Sequence, residues 1–251
     1  MKYIFSAALL ISIMINGISS AEELTGQEII KRMDDLMRGD TLRGKYVMTV
    51  TTPGWTRRLE LDAWNTGRDR TFIRILSPEK EVGTGTLRVK ESMWNYLPSV
   101  EKIIKIPPSM MLQPWMGSDF ANDDLVKESS IVYDYTHNIA GEEDIGGSMA
   151  YRIELIPKPG AAVTWGKLIF LIRKEDLLPV REEYYSDRGK LINVLEYSEI
   201  KQMSDRKIPA LWRMASQVKE GHYTTIEVVD AVYNQPISEG IFTLENLRRT
   251  R

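Results

Sequence analysis

The first part of the chain past its N-terminal apolar run carries the pattern of one amphipathic helix. Its apolar residues recur on one face at helical spacing: Ile29, Ile30, Met33, Leu36 and Met37. Thr25 and Glu28 have the T-x-x-E spacing of a capping box, and Gly39 stands where a glycine commonly follows a helix. The pattern predicts a helix that begins after Thr25, ends before Gly39 and has one apolar face.

Beyond Gly39 the period changes to two. Tyr46, Met48 and Val50 alternate with polar neighbours, and a second alternating set comprises Leu59, Leu61 and Ala63. Further strands are predicted over residues 71–76, 86–90, 92–97, 102–106, 131–136, 150–156, 165–172, 179–186, 191–200, 210–218 and 222–232. Residues 187–190 are typical of a hairpin turn. No helical run separates the strands, so the chain is predicted to be mainly β with some α, built on an antiparallel sheet or partial barrel.

Residues 107–126 interrupt this pattern. Pro107 and Pro108 end the preceding strand, after which Ser109 is suited to cap a short helix, and Asp119 or Asn122 a second one. Six large apolar side chains stand within eleven residues: Met110, Met111, Leu112, Trp115, Met116 and Phe120. Methionine adapts to irregular ligands, so a movable lid over a hydrophobic cavity and ordinary core beneath a loop are both open interpretations.

The N-terminus is typical of an export signal. Lys2 precedes the short apolar run 7–15, and small residues lead to Ala21, after which we predict cleavage. The run is shorter than the roughly 20 residues of a spanning helix, which disfavours an uncleaved anchor. The sequence therefore predicts a signal peptide over 1–21 and a single domain over 22–251, in a protein exported to the periplasm.

Composition narrows the function further. The chain has 251 residues, 43% of them hydrophobic, and a formal net charge of -2, so no basic field indicates nucleic-acid binding. It has no cysteine. Disulfides, a thiol nucleophile and lipidation through an N-terminal cysteine are thus excluded, and a soluble mature protein is expected.

Catalytic and metal motifs are weak. His137 and His222 have no metal-ligand spacing, and no nucleophile elbow, Walker loop or dinucleotide fingerprint is present. Asp119, Asp123 and Asp124 lack the spacing of a calcium loop and are better explained as helix-capping residues. A hydrolase that uses Glu142 and Asp144 as an acid pair remains a minor hypothesis. We expect no enzymatic activity, no metal and no cofactor.

Several of these motifs together resemble a known family. The pattern R-x-F-I-R-I-L-S-P, G-T-x-L-R-V, M-W-N-Y-L-P, K-I-x-K-I-P and G-S-D-F-x-x-D-D-L, within residues 70–125, is similar to the outer-membrane lipoprotein-sorting proteins. The similarity is closer to an uncharacterised LolA-like branch typified by a treponemal protein, and it extends over the mature chain.

The resemblance implies an incomplete antiparallel β-barrel around a hydrophobic cavity, closed by the N-terminal helix and a helical lid. It implies a periplasmic carrier for acylated lipoproteins or related lipids, with an inner-membrane exporter as donor and an outer-membrane acceptor. In the family, a cavity arginine after a Trp-containing strand contacts the lid. Trp64 stands at a comparable place here, but the family's Arg-Pro pair is missing, which leaves Arg68 or Arg70 as candidates for this contact.

On this interpretation, the predicted lipid-binding residues are Leu61, Phe72, Trp94, Tyr96, Met110, Met111, Trp115, Met116 and Phe120, with Met33 and Met37 on the closing helix. A second hypothesis is a non-enzymatic periplasmic adaptor of an envelope or lipid-export complex that holds no ligand. A small or absent cavity, with the same aromatic residues tightly packed, would favour the adaptor.

Overall fold

A computed structural model describes residues 23–122, 124, 131–161 and 163–249. The predicted signal peptide and its cleavage after Ala21 lie outside the described residues, as does most of the helix that was predicted to lead into Leu125. None of the helices in these ranges is both long and apolar enough to cross a membrane.

Helix α1 (Gly26–Arg38) forms as the sequence predicts. The Thr25 hydroxyl accepts a hydrogen bond from the Glu28 amide, and the Glu28 carboxylate accepts one from the Thr25 amide, so the capping box is complete. Gly39 ends the helix at a φ of 63°, a conformation that glycine adopts without strain. The apolar face of α1 packs onto the sheet, and Ile29 and Ile30 are fully buried there.

Thirteen strands make up one antiparallel sheet in the described residues. They are β1 (Thr41–Thr51), β2 (Thr56–Thr66), β3 (Arg70–Ser77), β4 (Gly85–Val89), β5 (Ser92–Leu97), β6 (Lys102–Lys105), β7 (Tyr135–Asp144), β8 (Met149–Pro157), β9 (Lys167–Arg173), β10 (Pro179–Tyr185), β11 (Leu191–Met203), β12 (Arg206–Ser216) and β13 (Tyr223–Tyr233). The order is β6-β5-β4-β3-β2-β1-β13-β12-β11-β10-β9-β8-β7, so β1 and β13 meet at the centre. The sheet is open, and the mainly β, antiparallel prediction is confirmed.

Two predicted strands are shifted. The strand predicted over 131–136 is observed as β7, which begins at Tyr135, because residues 131–134 form a turn. Strand β12 begins at Arg206 instead of residue 210, since a tight turn at Ser204, with a φ of 53°, continues the hairpin from β11. The hairpin turn predicted at 187–190 is confirmed between β10 and β11.

Alternation divides the sheet into two faces. On one, here called the inner face, Ala63, Ile73 and Thr86 are paired across β2, β3 and β4. On the opposite, outer face, Trp64, Phe72 and Leu87 are paired across the same strands. Both rows are largely buried, because a different element covers each face.

The C-terminal segment covers the outer face. Phe242 and Leu247, from a 3₁₀ turn (Glu239–Phe242) and helix α2 (Leu244–Arg248), pack against Phe72 and Leu87. Arg74 binds helix α2 to the outer face, because its guanidinium donates hydrogen bonds to the carbonyls of Asn246 at 2.7 Å and Leu247 at 3.1 Å. Burial lowers the pKa of Arg74, although carbonyl oxygens replace part of its water shell.

Residues 107–122, here called the 107–122 loop, differ from the predicted short helix. They form two 3₁₀ turns, Pro108–Met110 and Trp115–Gly117, and a β-bridge between Pro114 and Ala121 closes the segment around the second turn. Met116 has a φ of 49° inside the second turn, which breaks the helical pattern. Hydrogen bonds such as Trp115 N to Phe120 O, at 2.7 Å, tie the loop to itself.

Candidate functional site

A cavity of about 230 Å³ lies on the inner face of the sheet, beneath α1 and the 107–122 loop. Apolar and aromatic side chains make up most of its wall. The lining residues are Met33, Asp34, Met37, Arg38, Leu42, Tyr46, Met48, Leu61, Ala63, Asn65, Thr71, Ile73, Trp115, Phe120, Asp124, Ile131, Tyr135, Val163, Thr164, Trp165, Leu168, Phe170, Glu182, Tyr184, Leu195, Tyr197, Trp212 and Ile226. Such a wall suits a long apolar ligand, because burial of apolar surface is its main possible contribution.

Helix α1 forms one side of the cavity mouth. Its Met33 and Met37 side chains line the cavity, and Asp34 on the same helix is 5% exposed. Arg68, in the turn between β2 and β3, forms ion pairs with both Asp34 and Asp35. Arg68 therefore ties the helix to the far end of β2, at the border of the cavity.

The 107–122 loop forms another side. Trp115 is 3% exposed and lines the cavity together with Phe120. The Trp115 indole Nε1 donates a hydrogen bond to Thr86 Oγ1 at 3.1 Å. Arg57 on β2 donates to the Met116 carbonyl at 2.8 Å and pairs with Glu81 at 3.4 Å. The loop is thus anchored to the sheet by the buried Trp115–Thr86 bond and the partly exposed Arg57–Met116 bond, and also by the Thr224 hydroxyl, which donates to the Asp119 carboxylate at 2.7 Å.

A polar cluster stands at the β10–β11 side of the cavity. The Glu182 carboxylate accepts hydrogen bonds from the hydroxyls of Tyr184 and Tyr197, each at 2.6 Å. Glu182 is 7% exposed, and all three side chains line the cavity. Burial, with the neighbouring Glu182 carboxylate, raises the pKa of Tyr184 well above its ordinary value, so its phenol stays protonated.

The predicted site residues separate into three groups. Met33, Met37, Leu61, Trp115 and Phe120 line the cavity. Two more pack against the core below the loop, namely Met111 and Met116, while Met110 is 42% exposed and turns away from it. Their role in binding lipid stays a prediction.

The structure contradicts the placement of Phe72, Trp94 and Tyr96 in the cavity. Phe72 and Trp94 lie in the outer-face row through Leu87, and Tyr96 packs in the same cluster under the C-terminal segment. Their strand neighbours on the inner face are different residues, such as Ile73, which does line the cavity. A shift of one residue along a strand moves a side chain to the other face, and both faces are apolar here.

The two arginine candidates also differ. Arg68 contacts α1, as described above, whereas Arg70 pairs with Glu239 and lies over the Phe242 ring, with 5.3 Å from its guanidinium carbon to the ring centroid. Arg70 therefore contacts the C-terminal segment and not a cover of the cavity. Arg57 donates to the Met116 carbonyl of the loop, but nothing in the sequence around Arg57 distinguished it as a candidate for such a contact.

Sequence patterns missed the second half of the cavity wall. Four aromatic residues distant in sequence line the same cavity: Tyr46 on β1, Tyr197 on β11, Trp212 on β12 and Trp165 just before β9. Glu182 is also there, in a sequence context that resembles any half-polar strand. The only sequence signal for these cavity-lining residues is the placement of aromatic residues at alternating strand positions. Strand alternation alone does not show which face of the sheet lines the cavity.

The minor catalytic pair, Glu142 and Asp144, stays apart from the cavity. Glu142 and Asp144 lie on the exposed part of edge strand β7, where Glu142 pairs with Lys174 and Asp144 accepts a hydrogen bond from the Gly147 amide. Asp119 and Asp124 bind Thr224 and Trp165 respectively, and Asp123 is outside the described residues. In the part of the chain that the structure describes, no group of three or more His, Asp or Glu side chains is placed to hold a metal ion.

A family model described as an uncharacterized protein matches residues 67–249, which is most of the chain. No curated protein sequence matches it.

Solved structures share the fold. A DUF1329 family protein from Desulfovibrio piger is similar with a TM-score of 0.82 at 24% identity, covering 88% of this chain and 97% of its own. A putative outer membrane lipoprotein-sorting protein domain from Vibrio parahaemolyticus has a TM-score of 0.77 at 22% identity, covering 89% and 98%. A LolA superfamily protein from Nitrosomonas europaea has a TM-score of 0.76 at 20% identity, covering 89% and 100%. The predicted resemblance to LolA-like proteins is confirmed at the level of the fold.

Proposed function

Since the chain belongs to the uncharacterized protein family whose model matches residues 67–249 and has the LolA fold, we propose that it is a periplasmic carrier of acyl chains. It binds the acyl chains of lipoproteins or related lipids on the inner face of the sheet and moves them toward the outer membrane. On this proposal residues 1–21 direct export and are removed near Ala21, and no enzymatic step is involved.

The observation that carries the proposal is the cavity itself. Aliphatic and aromatic side chains from both halves of the sheet face it, together with Met33 and Met37 of α1. Transfer of an acyl chain from water into such a cavity contributes about 0.8 kcal/mol per methylene group. An acyl chain in this cavity is therefore held without specific hydrogen bonds. A ligand-free adaptor would have no use for this apolar space.

Access to the cavity needs a movable cover, and α1 is suited to be one. Its apolar face supplies the inner surface, whereas ion pairs from Asp34 and Asp35 to Arg68 hold its border. The 107–122 loop is held in the same manner, with Trp115 inside and Arg57 at the Met116 carbonyl. Opening breaks these polar contacts and lets water replace them, so its cost combines their loss with the apolar surface that becomes exposed.

Direction of transfer follows from relative affinity. A carrier binds the ligand more weakly than the acceptor and more tightly than the state in which the donor presents it. By resemblance to the lipoprotein-sorting proteins, the donor is an inner-membrane exporter and the acceptor an outer-membrane component.

The test is native mass spectrometry of the protein purified from periplasm without detergent, followed by organic extraction. We expect a discrete excess mass that extracts as an acyl lipid or lipopeptide. A matched pair of variants on β13 localises it: Ile226→Glu places a charge in the cavity wall, while Val229→Glu alters a side chain that is 55% exposed. Loss of the excess mass in the first variant only supports the proposal. A clean apo mass in the wild type, with no uptake of added lipopeptide, contradicts it and favours the adaptor.

A further inference from the structure

A neutral polar pair interrupts the apolar wall of the cavity. Asn65 on β2 and Thr71 on β3 are direct partners across the two strands, and Asn65 Nδ2 donates to Thr71 Oγ1 at 2.9 Å. Both residues line the cavity, and Thr71 is 7% exposed. Burial of this pair costs desolvation energy that two apolar side chains would avoid, so the methylene groups of an acyl chain do not account for it.

The pair has hydrogen-bonding capacity left over. With Asn65 Nδ2 directed at Thr71, the Asn65 Oδ1 is an acceptor and the Thr71 hydroxyl is a donor, and neither has a further partner among the described residues. The opposite orientation of the amide also leaves one donor, on Nδ2, and one acceptor, on Oγ1. In either orientation the pair therefore offers one donor and one acceptor to a ligand in the cavity.

A second pair of the same type shows what such a pair binds. Thr86 on β4 and Asn95 on β5 are also direct partners, with 2.8 Å between Thr86 Oγ1 and Asn95 Oδ1. This pair receives the indole N–H of Trp115, at 3.1 Å from Thr86 Oγ1. The fold thus already uses a Thr–Asn pair on the inner face of the sheet to bind a buried N–H group. The Asn65–Thr71 pair offers an acceptor of the same kind to the cavity.

The Asn65–Thr71 pair lies near the border of the cavity that α1 covers. Arg68, three residues after Asn65, forms the ion pairs with α1 that hold this border. Arg88, the β4 partner of Thr71, donates to backbone carbonyls of the turns at this end of the sheet. A ligand group that binds the pair therefore lies at the border, with its chain against the apolar wall and the rest of the molecule beside α1.

We propose that the Asn65–Thr71 pair binds a secondary amide through which an acyl chain is linked to the rest of the ligand. The amide C=O accepts a hydrogen bond from the pair and the amide N–H donates one to it, whereas an ester has no N–H and satisfies only the donor. This inference rests on the proposed function, since it names the class of ligand for the same cavity. Amide-linked chains have two sources, the acylated amino terminus of a lipoprotein and membrane lipids with an N-acyl chain.

N-methyldodecanamide and methyl dodecanoate form the primary test, because they share one chain and differ only in N–H against O at the linkage. A purely apolar cavity favours the ester, since the amide loses stronger hydrogen bonds to water. We expect wild-type protein to bind the amide at least about fivefold more tightly than the ester in calorimetric titration. In the double variant Asn65→Leu with Thr71→Val the preference should disappear while the ester still binds, which also verifies that this variant folds.

The same two replacements on edge strand β7 give a matched control. Thr136 and Asn138 are exposed there and do not line the cavity. Thr136→Val with Asn138→Leu should keep the preference for the amide. Equal or tighter binding of the ester by wild-type protein, or an unchanged preference in the Asn65 and Thr71 double variant, would overturn the amide assignment and leave the carrier proposal standing. Binding of neither probe by wild-type protein would contradict the carrier proposal itself.

Two further pairs of ligands distinguish the sources. One compares a peptide palmitoylated at its amino terminus with the same peptide palmitoylated through a serine ester, and the other compares a short-chain ceramide with a diacylglycerol of the same chain lengths. Preference for the N-palmitoyl peptide assigns the site to lipoproteins, and preference for the ceramide assigns it to a membrane lipid. The absence of preference in both pairs would overturn the assignment to a biological amide.

Discussion

Trp115 donates a hydrogen bond from its indole Nε1 to the Thr86 hydroxyl, at 3.1 Å, and this bond joins the 107–122 loop to the inner face of the sheet. Both residues are almost fully buried, at 3% and 1% exposure. The Thr86 hydroxyl in turn donates to Asn95 Oδ1 at 2.8 Å. A buried polar relay therefore helps to fix the position of the loop against the inner face of the sheet.

Replacement of Thr86 by valine tests this relay. The variant keeps the shape of the side chain but removes the acceptor, so the buried indole N–H loses its partner, and we expect a loss of about 1–3 kcal/mol in the free energy of unfolding. Urea denaturation measures it. Thr86→Ser retains the hydroxyl and should lose clearly less stability; equal stability of the two variants would show that the bond contributes nothing.

Arg68 and Arg70 should affect opposite faces when each is changed to glutamine. Arg68→Gln removes the ion pairs to Asp34 and Asp35. Because Arg38 still pairs with Asp34, we expect the local stability of α1 to fall by only about 1–2 kcal/mol. Hydrogen exchange should accelerate over 26–38 in this variant. Arg70→Gln should accelerate exchange near Glu239 instead. Faster exchange of α1 in both variants would argue against a specific role of Arg68 in holding the helix.

Tryptophan quenching tests which face of the sheet meets the ligand. Trp115, Trp165 and Trp212 line the cavity, whereas Trp64 and Trp94 pack on the outer face and Trp55 is 49% exposed. A brominated acyl ligand quenches only rings that it contacts. We expect Trp115→Phe to reduce the quenchable part of the fluorescence and Trp94→Phe to leave it unchanged. A smaller quenchable part of the fluorescence in Trp94→Phe would instead indicate that the ligand contacts the outer face.

His137 should make the protein less stable in mild acid. Burial lowers the pKa of His137, although its ring N–H donates to the Ile131 carbonyl at 2.7 Å, an interaction that opposes the shift, and Lys158 lowers the pKa further. A lowered pKa means that the unfolded chain binds the proton first, so stability is fully present above the ordinary value of 6.5 and falls as pH drops below it.

The measurement is the free energy of unfolding in urea at about pH 7.5 and about pH 5, for wild-type protein and His137→Gln. The wild type should lose more stability than the variant over this interval. His222→Gln controls for the substitution and should behave as the wild type does. Equal losses in wild type and His137→Gln would contradict the assignment to His137.

Much of the fold followed from local rules. The α1 capping box depends on residues three apart, and strand alternation depends on residues two apart, so each could be predicted without long-range information. The β7 prediction failed at 131–134, where apolar residues belong to a turn that packs under α1. The apolar residues there are buried without forming a strand, and a local sequence pattern does not distinguish a buried turn from a buried strand.

Leu61 and Phe72 show where sequence alone stops. Both stand in alternating apolar strands, and the sequence by itself determined that each is buried, that α1 is amphipathic and that the chain forms an antiparallel sheet. Only the tertiary structure decided that Leu61 lines the cavity while Phe72 meets Phe242, because the C-terminal segment returns across the outer face and makes both faces apolar. It also decided that Glu182 joins Tyr197 and Trp212, since their meeting depends on strand register and on contacts between strands distant in sequence.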